Sequence, residues 1–301
     1  MKKILLSGAS GFIGHVCLEY LTTLNFKIDT LGITQNDSIY CNLADSVPEI
    51  SKDYDWVIHL AGKAHFYPKS EKESNEFYQI NLGGTINLIK GLEKSQKLPE
   101  AIIFISTVAV YGLDSGEDIN EDYPLSGKTP YADSKIQAEK YLQEWCLKNQ
   151  IRLGILRPPL VAGKNPPGNL RVMINMIKKG MYFSIGKSGA RKSLVMVDDI
   201  AKIIPALAER GGIYNICDNY HPLFSELEEL IFRQLKRKPP LVLPYRMVHF
   251  ISKLGDLFGE NAPINSLKFH KITSTLTFSN KKIIEEFNWS PMSVMENFFI
   301  E

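Results

Sequence analysis

Hydrophobic positions fall into two textures along this chain. Up to about residue 157, short apolar runs alternate with longer stretches in which apolar residues recur every three or four positions. The runs predict strands at 2–7, 27–33, 38–41, 55–60, 101–106 and 151–157. The helical period predicts helices over 12–24, 73–95 and 130–149. Such alternation argues an α/β fold of the doubly wound type, a parallel sheet with helices on both faces. Ligands then belong at the carboxyl ends of the strands. After Arg157-Pro158-Pro159 the texture changes. Residues 163–170, GKNPPGNL, are rich in turn formers. Beyond them the segments are shorter, with amphipathic helices predicted over Leu223–Leu235 and Lys281–Phe287. The chain thus divides into 1–160 and a smaller region, 161–301, interleaved with the end of the sheet.

The first strand leads into Gly8-Ala9-Ser10-Gly11-Phe12-Ile13-Gly14. Gly8 permits a tight turn, Gly11 lets backbone approach a phosphate, and Gly14 lets the next helix pack on the strand. That helix aims its first N–H groups at the anion. The position between strand and helix is what makes a glycine pattern of this kind a dinucleotide loop.

A second cluster is Tyr131-Ala132-Asp133-Ser134-Lys135. A phenol with a pKa near 10 is a poor base at neutral pH. A lysine four residues on lies on the same helical face, and its cation favours the phenolate. Pro130 suits a helix start, and Ile136, Ala138 and Tyr141 continue the apolar face. Upstream, the run Ala101–Ile105 ends in two hydroxyls, Ser106 and Thr107. Together the two clusters suit hydride exchange between a nicotinamide and a carbinol carbon. The strand at 55–60 ends in Ala61-Gly62, which suits backbone contact with a cofactor; His59 inside it reads as a satisfied core histidine.

Composition narrows the partners. With 301 residues, 44% hydrophobic, 35 basic and 33 acidic side chains, the net charge of +2 gives no reason to expect nucleic acid or membrane. The six histidines match no metal spacing, so no metal is expected. The four cysteines are far apart and suit a reducing compartment. The opening apolar run is too short for a signal peptide, so a cytoplasmic protein is expected.

These residues resemble the extended short-chain dehydrogenase/reductases, specifically the nucleotide-sugar epimerase/dehydratase family. GASGFIG is similar to its cofactor loop, DWVIHLAG to its fourth strand, and Asn81-Leu82-Gly83-Gly84-Thr85 to its N-x-x-G-T motif. FISTVAVYG, the segment leading into Tyr131 and Lys135, LRPPLVAG, SLVMVDDIA and Asn288-Trp289-Ser290-Pro291 match further signatures, so the likeness runs nearly the whole chain. The resemblance implies a Rossmann unit at 1–160 with the catalytic Tyr and Lys, and a mainly substrate-binding region at 161–301. It makes Tyr131 the acid/base, Lys135 its activator and ribose anchor, and Thr107, four before Tyr111, the hydroxyl on the substrate oxygen. It implies NAD or NADP, held by Gly8, Ser10, Gly11, Phe12, Ile13, Gly14, Asn42, Leu43, Leu60, Ala61, Gly62, Lys63, Asn81, Tyr131, Lys135 and Pro158. Lys63, Thr107, Asn169, Arg191 and Lys192 fall where the family meets its substrate, a UDP-linked sugar in this reading. A homodimer is left open.

Departures from the pattern sharpen this. Val108 and Ala109 stand where the 4,6-dehydratases carry an Asp-Glu pair, so water elimination lacks its acid and base. Gly32 stands where many NAD-using relatives have an Asp for the ribose 2′-hydroxyl, and no Arg replaces it. Weak discrimination, within about tenfold, is therefore expected, with Gly32→Asp shifting preference to NAD. Asn42 replaces the usual adenine-side Asp, and Ala162 a frequent Tyr. The resemblance implies a UDP-hexose or UDP-N-acetylhexosamine 4-epimerase acting by transient C4 oxidation. The alternative is an NAD(P)H-dependent 4-ketoreductase. A non-catalytic NAD(P)-binding scaffold needs no Thr–Tyr–Lys set and is disfavoured by its presence.

Overall fold

A computed structural model describes residues 1–300 apart from 187 and 263. Its centre is a seven-stranded, wholly parallel sheet. The strands β1 (Lys3–Ser7), β2 (Lys27–Gly32), β3 (Ile39–Tyr40), β4 (Trp56–His59) and β5 (Ala101–Ile105) are joined by Arg152–Arg157 and Gly212–Asn215. The spatial order runs β3, β2, β1, β4, β5, then 152–157 and 212–215. The chain therefore winds one way from β1 and then, from β4, the other. The crevice at this reversal, beyond the carboxyl ends of β1 and β4, is where such sheets take ligands.

Strands β4 and β5 are buried throughout, because helices cover both faces. On one face Leu6, Ile58 and Ile103 pack with Cys17 and Leu21 of helix Phe12–Thr23 and with Ile200, Ile204 and Leu207 of helix Val197–Arg210. On the other, Leu5, Val57, Ile102 and Phe104 pack with Leu88 and Leu92 and with Ala138, Leu142 and Trp145 of helix Pro130–Lys148.

The predicted strands and the helices at 12–24 and 130–149 stand within a few residues of their expected ends. The helix expected over 73–95 is helical from Glu71 to Leu92, but a π-helical turn, Tyr78–Gly83, divides it. Residues beyond 160 are more regular than their texture suggests. Helix Val197–Arg210 and strand Gly212–Asn215 complete the sheet, and Ile283 of helix Lys281–Phe287 packs into the same core. A smaller apolar cluster holds the rest of the region, joining Leu170, Met173 and Ile174 of helix Gly168–Lys178 to Leu227 and Ile231 of helix Phe224–Gln234. All four cysteines are free and buried. Among the described residues, no helix is long and apolar enough to cross a membrane.

Candidate active site

The glycine loop joins β1 to helix Phe12–Thr23. Gly8 has φ +78, and a Cβ there would lie 2.5 Å from the Ala61 nitrogen. A Cβ on Gly14 would lie 2.0 Å from the Gly8 oxygen, so this glycine lets helix and strand meet. At Gly11 a Cβ would meet only the Gly8 oxygen, at 3.3 Å; its remaining surroundings are open. Gly11 is also the N-cap, with no side chain bonded to the helix's first N–H groups and no carboxylate in the first turn. A phosphate-sized anion fits this uncapped, uncrowded terminus. Ser10 and Gly11 are exposed there, with Phe12 and Ile13 half-buried behind them.

Across the crevice, β5 runs out at Ser106 and Thr107. The Thr107 hydroxyl accepts from the Ala109 N–H at 3.2 Å and caps the short 3₁₀ turn Val108–Tyr111. Val108 and Ala109 therefore form the turn beside the hydroxyl, without any carboxylate. Tyr131, the second residue of helix Pro130–Lys148, has its phenol close enough to this hydroxyl to feel it. Pro130 begins that helix, and Thr129 caps it by accepting from the Ala132 N–H at 3.2 Å. Burial pushes the Tyr131 phenol above its usual pKa, and the Thr107 contact opposes the rise.

Lys135 is 5% exposed. Its Nζ donates to the Ile105 carbonyl at 2.8 Å and lies 4.3 Å from the Phe104 ring centroid. Burial pulls its pKa down to about 8, with Glu139 one turn on opposing the fall. Glu139 is itself paired bidentately with Arg157, at 3.1 and 2.6 Å. The expected lowering of the phenol's pKa by the ammonium is thus not present in this arrangement: the lysine faces the end of β5, and burial dominates at Tyr131. A Cβ on Gly62 would stand 3.0 Å from Asn81 Oδ1 and 3.5 Å from Lys135 Nζ. Backbone at 62 is thereby held over both groups. Ser106 Oγ, 3% exposed, has no hydrogen-bond partner.

The π-helical turn explains Asn81. Its wider ring turns the side chain inward, where Oδ1 accepts from the Lys63 N–H at 2.7 Å and Nδ2 donates to Ser134 Oγ at 2.9 Å. Behind it runs a buried chain that sequence reading credited only with a satisfied histidine. Ser7 Oγ meets His59 Nδ1 at 2.7 Å, His59 Nε2 meets Thr85 Oγ1 at 2.9 Å, and Thr85 donates to the Asn81 carbonyl at 2.6 Å. Thr85 has one proton, so His59 Nε2 must carry the hydrogen and Ser7 must donate to Nδ1. Burial pulls the His59 pKa down to about 3, with Lys135 adding to the fall. The imidazole stays neutral and links β1, β4 and Asn81.

The adenosine end differs most from expectation. A Cβ on Gly32 would lie 2.6 Å from Asp37 Oδ2 and 3.1 Å from Oδ1. Asp37 Oδ2 accepts from the Thr34 N–H at 2.9 Å and hydroxyl at 2.6 Å, which pins the carboxylate there. A folded-back turn thus brings a carboxylate from five residues later beside position 32. Sequence reading missed it because the turn at Thr34–Asp37 is not a periodic feature; the available signal was that residues 28–51 carry four carboxylates and no Lys or Arg. Asn42 is tied to Asp45 through its Nδ2, and its Oδ1 accepts from the Ala44 N–H at 3.2 Å. Leu43 packs against Gly84.

Other predicted residues separate by position. Leu60, Ala61 and Gly62 follow β4 at the mouth of the crevice, and the Pro158 carbonyl holds the Val108 N–H at 3.2 Å. Lys63 is paired with Glu76 and lies 4.6 Å from the Phe66 ring centroid. Asn169 is exposed in the first turn of helix Gly168–Lys178, whose start packs on His65. The basic pair is farther engaged than expected. Lys192 Nζ donates to the Lys271 and Ser274 carbonyls at 2.7 Å each, and Arg191 Nη1 donates to the His221 carbonyl at 2.7 Å.

Residues 4–217 match the family model described as "NAD dependent epimerase/dehydratase family". The chain is 27% identical over 303 residues to N-acetyl-alpha-D-glucosaminyl-diphospho-ditrans,octacis-undecaprenol 4-epimerase of Escherichia coli O157:H7, covering 93% of this chain and 88% of that one. It is 26% identical over 245 residues to GDP-6-deoxy-D-mannose reductase of Pseudomonas aeruginosa, covering 76% and 79%. Among solved structures, UDP-glucose 4-epimerase of Thermus thermophilus complexed with NAD superposes with a TM-score of 0.74 at 20% identity, over 98% of this chain and 96% of that one. The chain belongs to the NAD-dependent epimerase/dehydratase family, and it is an NAD(P)-dependent sugar-nucleotide epimerase/oxidoreductase.

Proposed function

We propose that this protein is a nucleotide-sugar 4-epimerase working with tightly held NAD, on a UDP-hexose or UDP-N-acetylhexosamine. The observation that carries the reading is the Thr107–Tyr131 contact beside Lys135, with Val108 and Ala109 in place of eliminating carboxylates. Bound nicotinamide supplies the hydride acceptor and donor. In this reading the loop at Gly8–Gly14 holds the pyrophosphate and Asp37 the adenosine ribose. Lys135 anchors the other ribose. Tyr131 must act here in its phenolate form: it takes the C4 hydroxyl proton as the carbon is oxidised and returns it after the sugar has turned, while Thr107 holds the oxygen in line. This reading gives Lys63, Asn169 and Arg191 to the substrate's diphosphate.

Asp37 also separates this reading from its rival. A 4-ketoreductase would consume NAD(P)H, and the relative from Pseudomonas supports that alternative. A carboxylate at the ribose disfavours a 2′-phosphate and so favours NAD, the cofactor an epimerase recycles. The test is incubation of the purified protein with a panel of UDP-hexoses and UDP-N-acetylhexosamines, with and without added cofactor, read by NMR. Interconversion of C4 epimers without net cofactor consumption supports the proposal. Stoichiometric oxidation of NADH or NADPH by a 4-keto sugar would establish the reductase instead.

A further inference from the structure

The described residues leave 24 large hydrophobic side chains exposed, and nine of them fall within 241–258. Scattered exposed apolar residues need no explanation, but this concentration does. Helix Tyr245–Gly255 buries Val248, Ser252 and Gly255 and turns Met247, Phe250, Ile251 and Leu254 outward. Leu257 and Phe258 continue the face at 82% and 73% exposure. In the preceding strand, Leu241–Leu243, Leu241 pairs with Phe183 of Phe183–Ile185, and both side chains are exposed.

Charge tells what such a face meets. Six of the chain's 35 basic residues and one of its 33 acidic ones lie in 233–258, leaving the remainder at net −3. Lys236, Arg237 and Lys238 precede the helix, and Arg246 and Lys253 flank its outward apolar stripe; all five are exposed. An amphipathic helix with aromatic and aliphatic residues on one side and basic residues at its flanks suits the interface of an anionic bilayer. A second copy of this chain would bring the same cations face to face, so the charge disfavours self-association through this surface.

We propose that this face seats the enzyme on an anionic membrane surface as a peripheral element, with Phe250 and Leu254 in the acyl boundary and Lys236 and Lys238 at the headgroups. The expectation from bulk charge that no membrane is met takes no account of this concentration. The active-site crevice is near. Arg237 Nη2 donates to the Lys178 carbonyl at 2.6 Å, at the end of helix Gly168–Lys178. That helix is about 16 Å long, and its start meets His65 in the loop after β4. One helix thus runs from the residue that Arg237 touches to the loop after β4.

Co-sedimentation of the whole protein with vesicles tests this. The wild type is expected to pellet with phosphatidylglycerol-containing vesicles, to stay in solution with pure phosphatidylcholine, and to be released by salt. Phe250→Asp/Leu254→Asp and, separately, Lys236→Glu/Lys238→Glu are expected to cut binding at least tenfold. NAD affinity by calorimetry should be unchanged in both, which reports an intact fold whatever the sugar substrate proves to be. A wild type that ignores anionic vesicles would overturn the proposal. So would an analytical-ultracentrifuge dimer that Phe250→Asp/Leu254→Asp dissociates without any vesicle binding, because the occupant is then a second copy.

Discussion

Asp37 holds its carboxylate 2.6 Å from where a Cβ on Gly32 would stand, so an acid occupies the space that a side chain at position 32 would fill. The turn that achieves this is closed by Thr34, which gives both its N–H and its hydroxyl to Oδ2 and leaves Oδ1 outside those bonds. An oxygen so placed can accept from a ribose hydroxyl.

Asp37→Asn keeps an acceptor for Thr34 and removes the charge. Hydrogen bonds to charged groups contribute about 1.5–3 kcal/mol, so NAD affinity should fall roughly 10–100-fold while NADP affinity falls less or rises. Gly32→Asp, expected from sequence to favour NAD, should instead weaken both cofactors, because it crowds a second carboxylate onto the first. Calorimetric titration of the three proteins with NAD and NADP decides. Equal NAD affinity in wild type and Asp37→Asn would remove Asp37 from the site.

Why the glycine loop was legible and Asp37 was not has a physical basis. Gly8, Gly11 and Gly14 are demanded by local geometry at fixed spacing, and buried parallel strands announce themselves as apolar runs. Tyr131 and Lys135 are one helical turn apart, so spacing alone puts them on one face. The Thr34–Asp37 turn has no period, and its relation to Gly32 exists only after the chain doubles back. The π-helical turn at Asn81 was equally silent, because its sequence is compatible with an ordinary helix. Helix Val197–Arg210 went unassigned although its buried residues recur at helical spacing; Pro205 inside it is the residue that argues against a helix in sequence. Lys192 shows the converse: sequence placed a cation near the substrate, and the fold commits it to two carbonyl groups.

Tyr131→Phe should retain cofactor binding and lose nearly all turnover. The ring keeps its packing beside Phe77, 6.0 Å away between centroids, but the proton-transfer oxygen is gone. General acid–base groups contribute about 10²–10⁴ in rate. A purified variant with wild-type kcat would refute the assignment.

Lys135→Met should make the protein more stable and inactive. The buried ammonium has a folded-state pKa of about 8 against a usual 10.5. The folded protein therefore binds this proton less firmly than the unfolded chain, at a cost of about 3 kcal/mol fully present below pH 8. Removing the charge recovers that, less about 1 kcal/mol for the bond to Ile105. Denaturant unfolding should show a gain of about 2 kcal/mol at pH 7. The gain should shrink toward pH 10, since the wild type is itself stabilised as pH rises from 8 to 10.5. An equal or lower stability at pH 7 would show that the ammonium is better satisfied than its single carbonyl bond suggests.

His59 should make the fold sensitive to acid. Its folded pKa of about 3 lies below the usual 6.5, because the ring is buried at 1% exposure and the Lys135 charge adds to the fall. Below pH 6.5 the unfolded chain takes up a proton that the folded one refuses. Stability from this group is therefore complete above pH 6.5 and lost as pH falls toward 3, at about 1.4 kcal/mol per unit. Between pH 6.5 and 5 the loss is about 2 kcal/mol. His59→Gln cannot take up that proton. It should be less stable than wild type at pH 7.5, because Ser7 and Thr85 lose a well-placed partner, yet fall less steeply on acidification. Unfolding free energies of both proteins at pH 7.5, 6 and 5 test the point. Parallel pH dependences would mean that the imidazole is protonated in the fold, with Nδ1 donating to Ser7 Oγ instead of accepting from it.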